Sequence, residues 1–167
     1  MTPPPGEPGI RREVEEDVPC IRTLHRAAFP TDAEAVLVDR LRADGDLALS
    51  LVARLESDVV GHIAFSPMKA PIRALALAPL AVAERVRGQG IGAMLIRTGL
   101  QYAAEVGWQC VFVLGDPAYY ASFGFSVEAA ASFDCVYAGP HLMMCVLGEN
   151  RMPSGGMLTY APAFSAL

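Results

Sequence analysis

The chain has 167 residues, which corresponds to about one domain and is long enough to bury a hydrophobic core without disulfides or a structural metal. With 53% hydrophobic and 19% charged residues the composition is that of a globular protein rather than a disordered one, and no apolar run reaches the roughly 18 residues of a membrane span. The net charge of −5 argues against nonspecific binding to nucleic acid, which requires a basic face.

The cysteines and the N-terminal residues bear on metal content and location. None of the four cysteines forms a C-x-x-C pair and no two histidines stand at ligand spacing, so the sequence predicts no metal site. The first residues are rich in proline and glycine and lack the apolar segment of a signal peptide. We therefore expect a flexible N-terminal segment over 1–9 and a single domain over 10–167. Free thiols without a targeting signal favour a cytoplasmic protein with no membrane partner.

Hydrophobic periodicity and turn residues predict a mixture of helices and strands. In chain order, the predicted elements are a strand over 10–14, a helix over 17–29 with Asp17 as N-cap, a second helix that Thr31 or Asp32 caps and Gly45 closes, a hairpin of strands over 47–55 and 59–66, a strand over 74–82, a helix from 91 that Gly107 ends, a strand over 110–114, a short helix over 118–123, and strands over 142–147 and 157–160. This order is typical of one α/β domain on a mixed sheet.

The strand over 74–82 is apolar on both faces, which predicts a central position in the sheet. Pro79 stands inside it and cannot donate a hydrogen bond to a neighbouring strand. The proline therefore predicts a bulge, or a place where the neighbouring strand separates.

A glycine-rich turn, Arg87-Gly88-Gln89-Gly90-Ile91-Gly92, joins this strand to the following helix. Three glycines in five residues let the backbone turn tightly and bring its N–H groups close to a ligand, and the helix N-terminus adds unpaired donors and a positive dipole end. The arrangement suits a pyrophosphate. The next residues are Ala-Met rather than Lys-Ser/Thr, and the spacing differs from G-x-G-x-x-G, so nucleoside triphosphates and dinucleotides are disfavoured. The glycines alone are also compatible with a turn that binds nothing.

On these residues the sequence resembles the GNAT superfamily of acyl-CoA-dependent N-acetyltransferases. The R/Q-x-x-G-x-G/A turn of the family is matched by Arg87, Gly90 and Gly92, and its Tyr-x-x-x-Gly-Phe segment by residues 120–125. A helix and a strand separate the two motifs, as in the family. The string VFVLGDPAYYASFGF is similar to a bacterial YhbS-type subgroup. The likeness extends over about residues 10–127, and two linked motifs are far more specific than either alone.

The resemblance implies a GNAT-like fold, in which a mixed central sheet with splayed strands four and five is flanked by about four helices. It implies that acetyl-CoA lies in the splay as cosubstrate and that no metal is needed. Backbone N–H groups of the turn would hold the pyrophosphate, and backbone groups of the central strand would pair with the pantetheine arm like an added strand. The implied cofactor-binding residues are Leu80, Ala81, Val82, Arg87, Gly88, Gln89, Gly90, Ile91, Gly92, Asp116 and Tyr120.

The implied reaction is direct attack of a neutral primary amine on the thioester. Tyr120 matches the family's tyrosine that protonates the leaving thiolate, and Tyr119 is the neighbouring candidate. Glu84 follows the central strand and is our candidate for the base that takes the proton of the amine, whereas His62 on the preceding strand is another candidate. Asp116 stands before a proline, so it either caps the short helix or contacts CoA or the substrate.

Two other functions stay open. One is a CoA-binding regulatory or interaction module without turnover, and the other is transfer of a longer acyl group. The turn at 115–117 departs from the asparagine that many family members carry there, and the chain from 128 onward follows no general family pattern, so the resemblance does not identify the amine acceptor. The acidic net charge favours a cationic acceptor. Unexplained C-terminal strands could pair with a second copy, which would give a homodimer.

Overall fold

A six-stranded mixed β-sheet is the frame of the protein in the computed structural model, which describes Pro4 and residues 6–167. The strands are β1 (Gly9–Arg12), β2 (Leu49–Leu55), β3 (Asp58–Met68), β4 (Ala74–Val82), β5 (Cys110–Leu114), β6 (Phe133–Asp134), β7 (Leu142–Val146) and β8 (Gly156–Met157). The helices are α1 (Val18–Ala28), α2 (Ala33–Ala43), α3 (Ile91–Glu105), α4 (Pro117–Tyr120) and α5 (Val127–Ala130). The predicted N-terminal segment over 1–9 lies partly outside the described residues.

The strand order in the large sheet is β1-β2-β3-β4-β5-β7, and β6 pairs with β8 in a small separate sheet. Neighbouring strands of the large sheet run antiparallel except β4 and β5, which run parallel. The mixed α/β fold predicted from the sequence is therefore confirmed, with β4 as a central strand.

The sheet opens between β4 and β5. Their pairing ends at Ala76 and Phe112, although both strands continue beyond that point. On its other side β4 faces β3, where Ile63 lies opposite Leu80 but Phe65 lies opposite Leu77. One residue of β3 therefore faces two residues of β4, Ala78 and Pro79, which is a β-bulge. The bulge and the separation predicted at Pro79 are both present.

Helix α3 covers one face of the sheet and packs on a core that includes Ile63, Phe65 and Leu95. The approach is close, because a Cβ built on Gly99 of α3 would stand 2.5 Å from the ring of Phe65. The other face is covered by α2 and the C-terminal segment, which bury Phe112 and Phe164 in a second core. Helix α1 packs beside α2 on that side.

Several predicted elements differ in detail from the observed ones. Strand β1 ends at Arg12, α3 ends at Glu105, and the short helix after β5 divides into α4 and a 3₁₀ turn, Ala121–Phe123. The second C-terminal strand is only Gly156–Met157, and Thr159 forms an isolated bridge with Lys69. Helix α5, strand β6 and the 3₁₀ turn Pro162–Ala166 were not predicted.

Asp17 occupies the predicted N-cap position of α1 but does not cap it. Its carboxylate accepts hydrogen bonds from the guanidinium of Arg11, at 2.6 and 2.9 Å, and from the backbone N–H of Val14, at 2.8 Å. The reason is the backbone of Asp17, which is helical at φ −79° and ψ −19° instead of extended as in a typical N-cap. Within the described residues, no helix has the length and apolar character needed to cross a membrane.

Candidate functional site

A cleft of about 610 Å³ lies where the end of β4 meets the start of α3. The end of α1, with Ala28 and Phe29, forms one side, and Tyr119 of α4 forms another. The predicted cofactor-binding residues that the cleft brings together are Leu80, Ala81, Val82, Arg87, Gly88, Gly90, Ile91 and Gly92. The predicted residues Gln89, Asp116 and Tyr120 do not line it.

The turn between β4 and α3 gives the cleft its backbone donors. Gly88 and Gly90 have φ angles of 80° and 83°, a region that favours glycine, and a Cβ at either position would meet nothing within 4 Å. The first-turn N–H groups of α3 have no partner inside the helix and point toward its N-terminal end. The guanidinium Nε of Arg87 donates to the carbonyl of Val82 at 3.1 Å, which holds the turn against β4. This arrangement can bind an anion.

The edge of β4 that faces β5 forms the floor of the cleft. Beyond Ala76 this edge has no strand partner among the described residues, so Leu80 and Val82, which alternate with the β3-facing Ala81, present backbone groups that an extended ligand can pair with. The cleft thus joins a free strand edge to an anion-binding helix N-terminus.

Tyr120 lies beyond the end of β5, with its ring packed against Gly115. A Cβ at Gly115 would stand 2.5 Å from Cε2 of Tyr120, so only glycine leaves room for this ring. The ring also meets Phe125 edge to face, at 5.6 Å between centroids. Burial, with a smaller contribution from Tyr119, raises the pKa of Tyr120 to about 12. The side chain is therefore a protonated phenol at neutral pH. Sequence reasoning overlooked Gly115. The feature that could have identified it is the turn at 115–117, which departs from the family pattern.

Tyr119 points to a different place, as adjacent residues of a helix do. Its side chain is 42% exposed and lines the cleft, and its hydroxyl is 3.2 Å from the position of a Cβ on Gly92. Burial raises its pKa. Tyr119 therefore closes the cleft at the N-terminus of α3, whereas Tyr120 lies at the end of β5. The motif match singled out Tyr120 and gave no signal for this role of Tyr119.

Glu84 and Asp116 are both exposed. Glu84 opens the 3₁₀ turn Glu84–Val86 and lines a neighbouring cleft of about 820 Å³ between α1 and the ends of β3 and β4. The Oδ1 atom of Asp116 accepts from the N–H of Ala118 at 3.0 Å, so its carboxylate caps α4. Nearby, Arg85 is paired with Asp58 at 3.2 Å.

His62, the other candidate base, is fully buried beneath α1. Its Nδ1 lies 2.7 Å from Nε2 of His25, and its Nε2 lies 2.7 Å from the hydroxyl of Ser50. Burial lowers the pKa of His25 to about 4, and burial with the nearby His25 and Arg42 lowers that of His62. Both imidazoles are neutral, so this pair is a buried structural contact and His62 does not line the cleft.

His141 lies near Tyr120, although sequence reasoning did not point to it. It precedes β7, and its Nδ1 lies 3.3 Å from the carbonyl oxygen of Gly115. Leu142 pairs with Leu114, which places His141 beside Gly115. The exposed imidazole of His141 and the ring of Tyr120 therefore both contact Gly115. Among the described residues, no group of three or more histidine, cysteine, aspartate or glutamate side chains could hold a metal ion.

The part of the chain that forms the cleft is also similar to known proteins. The model of the Acetyltransferase (GNAT) family matches residues 18–125. The N-acetyltransferase YhbS of Escherichia coli strain K12 is 44% identical over 134 residues, which cover 78% of this chain and 80% of the relative. The N-acetyltransferase YjhQ of the same strain is 42% identical over 119 residues, which cover 66% of this chain and 65% of the relative.

Two crystal structures are similar over almost the whole chain. The structure of E. coli YhbS in complex with CoA has a TM-score of 0.89 and 37% identity, and the match covers 99% of this chain and 96% of that one. A GNAT-family acetyltransferase from Brucella melitensis in complex with acetyl-CoA has a TM-score of 0.80 and 33% identity, with 95% and 99% covered. The family match, the sequence relatives and the splayed sheet agree, and the chain belongs to the GNAT family of acetyltransferases.

Proposed function

We propose that this protein transfers an acetyl group from acetyl-CoA to a primary amine by direct attack of the amine on the thioester. The observation that carries the proposal is the 610 Å³ cleft, in which the free edge of β4 and the N-terminus of α3 meet. Two structural neighbours support it, since one was crystallised with CoA and the other with acetyl-CoA. We further propose that residues 10–167 form one catalytic domain.

In this proposal the donor lies along the cleft. The backbone N–H groups of the turn, with Gly88, Gly90 and Gly92, bind the pyrophosphate. The pantetheine arm pairs with the backbone of Leu80–Val82 as an extra strand, and one N–H of β4 polarises the thioester carbonyl. Asp116 contacts the cofactor only if its carboxylate leaves the cap of α4, and Gln89 contributes through its backbone.

The chemical step is a direct acyl transfer. The amine nitrogen bonds to the carbonyl carbon, the C–S bond breaks, and its electron pair leaves with the sulfur. Tyr120 donates its phenolic proton to the thiolate, and a base takes the proton that the amine nitrogen loses. We propose Glu84 as that base.

A second candidate base is favoured by position. His141 shares Gly115 with Tyr120, whereas Glu84 lines the neighbouring 820 Å³ cleft. Comparing Glu84→Gln with His141→Gln decides between them. Replacing the residue that acts as the base should lower kcat by about 10²-fold or more, whereas the other variant should keep a kcat close to that of the parent.

The first test is calorimetric titration with acetyl-CoA, using ATP and NAD as control ligands. Binding of acetyl-CoA alone at micromolar concentration establishes the donor site. CoA release is then measured with an amine panel by chromatography, because exposed Cys20 would react with a thiol reagent. Failure of a folded protein to bind acetyl-CoA would refute the proposed donor site. Binding without CoA release from any amine would favour the regulatory module instead.

A further inference from the structure

A further cavity, of about 280 Å³, lies in the gap between β4 and β5. Ala78 of β4 and Phe112 and Leu114 of β5 form its floor, and Tyr137, Tyr160 and Phe164 form an aromatic wall. The wall comes from the C-terminal part of the chain, outside the residues that the family model matches.

This cavity and the donor cleft meet β4 on the two sides of Pro79. Ala78 packs with the core on the α2 side of the sheet, whereas Leu80 and Val82 pack with the core on the α3 side. The two binding spaces therefore approach the bulge of β4 from opposite faces. In the proposed reaction the acceptor would therefore reach β4 from the face opposite to the donor.

One of the two exposed leucines that line the cavity, Leu114, lies beside the proton-transfer groups, whereas the other is Leu167. Leu114 is 40% exposed and precedes Gly115, against which the ring of Tyr120 packs. His141 also lies at Gly115. An amine held at Leu114 would lie close to Gly115, which both side chains contact, while the rest of its molecule would occupy the cavity.

The side chains that line the cavity determine which kind of ligand can bind there. The rings of Tyr137 and Tyr160 meet edge to face at 5.0 Å, and Phe164 lies 5.0 Å from Tyr160. No charged side chain among the described residues lines the cavity, and burial raises the pKa of Tyr160, which keeps its hydroxyl neutral. A charged substituent would lose its hydration there without gaining an ionic partner. Aromatic walls instead favour an aromatic guest.

The size of the cavity is consistent with a single ring. An apolar cavity of roughly 150 Å³ accommodates benzene, so 280 Å³ holds one ring and a short linker. We propose that the acceptor is a primary amine with an uncharged aromatic substituent that binds in this cavity. The inference rests on the proposed acetyl transfer, and it replaces the cationic acceptor that the net charge alone favoured.

The test compares amines that differ only in the group distant from the nitrogen: 2-phenylethylamine, 1,4-diaminobutane, β-alanine and n-propylamine. Binding of each amine to the CoA-loaded protein is measured by saturation-transfer NMR, and kcat/KM by CoA release. We expect 2-phenylethylamine to bind and to exceed the others in kcat/KM by about tenfold or more. Preference for the diamine or β-alanine would overturn the inference and leave acetyl transfer intact.

Two matched variants locate the binding. Tyr137 is half-buried in a loop, so Tyr137→Ala removes one wall at small risk to the fold, and Tyr137→Phe keeps the ring. We expect kcat/KM for 2-phenylethylamine to fall about tenfold in Tyr137→Ala and to change little in Tyr137→Phe. The kcat/KM for n-propylamine should be the same in both variants. Equal loss for both amines would place the ring elsewhere and contradict the inference.

The same proteins separate this inference from its competitors. If hexanoyl-CoA replaces acetyl-CoA without loss and Tyr137→Ala impairs only the longer donor, the cavity holds an acyl chain and the inference is wrong. If the CoA-loaded protein binds no aromatic amine while acetyl-CoA binds, the inference is also wrong. Absence of acetyl-CoA binding refutes the proposed function instead, and NMR with the free protein still reports whether the cavity takes the ring.

Discussion

Tyr120 illustrates how packing prepares one side chain for its proposed role. Its ring fits against Gly115 and Phe125, and the same burial that holds the ring raises the pKa of the hydroxyl to about 12. A phenol in this environment keeps its proton at every pH at which the enzyme is expected to work. The hydroxyl hydrogen is therefore present at each of these pH values, and because the phenol is a weaker acid than the parent thiol, whose pKa is roughly 8.5, it acts first as a hydrogen-bond donor that stabilises the departing thiolate.

Replacing the hydroxyl tests this role. In Tyr120→Phe the ring still packs and the proton donor is lost, so we expect kcat to fall about 10²-fold or more with little change in the affinity for acetyl-CoA. Tyr119→Phe is the matched control: its hydroxyl lines the donor cleft, so KM for acetyl-CoA can change, but kcat at saturating acetyl-CoA should stay within a fewfold of the parent. Parent-like turnover in Tyr120→Phe would show that another group protonates the sulfur.

The pKa of Tyr120 also predicts the alkaline limb of the pH profile. Because the raised pKa keeps the phenol protonated, kcat should not decline between pH 8 and pH 10 through loss of the acid. Steady-state rates across this range, corrected for spontaneous thioester hydrolysis, give the profile. A decline centred near pH 9 that disappears in Tyr120→Phe would mean that the acid ionises well below the expected value.

Gly115 should matter through Tyr120. In Gly115→Ala the new methyl group would lie 2.5 Å from the ring, so the ring must move. We expect kcat to fall at least tenfold, since catalytic geometry tolerates little displacement, while KM for acetyl-CoA stays close to the parent value. The double variant with Tyr120→Phe should be no slower than Tyr120→Phe alone. Additive losses would indicate that Gly115 acts separately.

At the scale of elements, α3 packs closely against β3 because Gly99 of the helix has no side chain. Gly99 lets the ring of Phe65 lie against the helix backbone, and the first turn of the same helix forms the donor cleft. The position of the cleft is thus tied to the packing of the helix core.

Gly99→Ala tests that fit, because two effects oppose each other. Alanine improves helix propensity by about 1 kcal/mol, but a methyl 2.5 Å from Phe65 overpacks the core at a cost of about 1–3 kcal/mol. We expect a lower unfolding free energy in urea than in the parent. A more stable variant would mean that Phe65 moves aside without strain. Ala104→Gly, at an exposed position of the same helix, measures the propensity effect by itself.

The elements that the sequence predicted best have strong local patterns. Strands 74–82 and 110–114 are continuous apolar runs between turn residues, and both are observed with those limits. Helix α5 and strands β6 and β8 are too short to show a period. They depend on distant contacts, such as the hydrogen bond of 2.8 Å from the N–H of Leu158 to the carbonyl of Asp134.

The residues of the candidate site also differ in how well the sequence predicts them. Motif spacing identified the turn at 87–92 because one continuous segment forms it. His141 and Tyr160 reach the site from distant parts of the chain through strand pairing and packing. Spacing along the chain contains no information on such encounters, so these residues could not be predicted.

At the scale of the whole molecule, one buried pair joins three elements. His25 of α1 contacts His62 of β3, which contacts Ser50 of β2, and both imidazoles are fully buried. Glu13 accepts from Ser50 at 3.2 Å and pairs with Arg42 of α2, so the polar contacts continue to the surface. The stability of this face of the molecule is linked to the neutral state of the pair.

This linkage predicts sensitivity to acid. Both pKa values are lowered in the folded state, so below about pH 6.5 the unfolded chain binds protons that the folded chain does not. The unfolding free energy should therefore fall as the pH decreases from 6.5 toward about 4, by at most about 1.4 kcal/mol per pH unit for each group. Urea unfolding at several pH values measures it. Equal stability at pH 7.5 and pH 5 would contradict the prediction.

The aromatic wall built by Tyr137, Tyr160 and Phe164 shares no residue with the cleft at the N-terminus of α3. The two halves of the site can therefore be altered independently. A directed-evolution library confined to the three aromatic positions of this wall would sample new amine specificities while every clone keeps the same acyl-donor machinery. Selection from such a library would need only a single cosubstrate, and one screening assay would serve all acceptors.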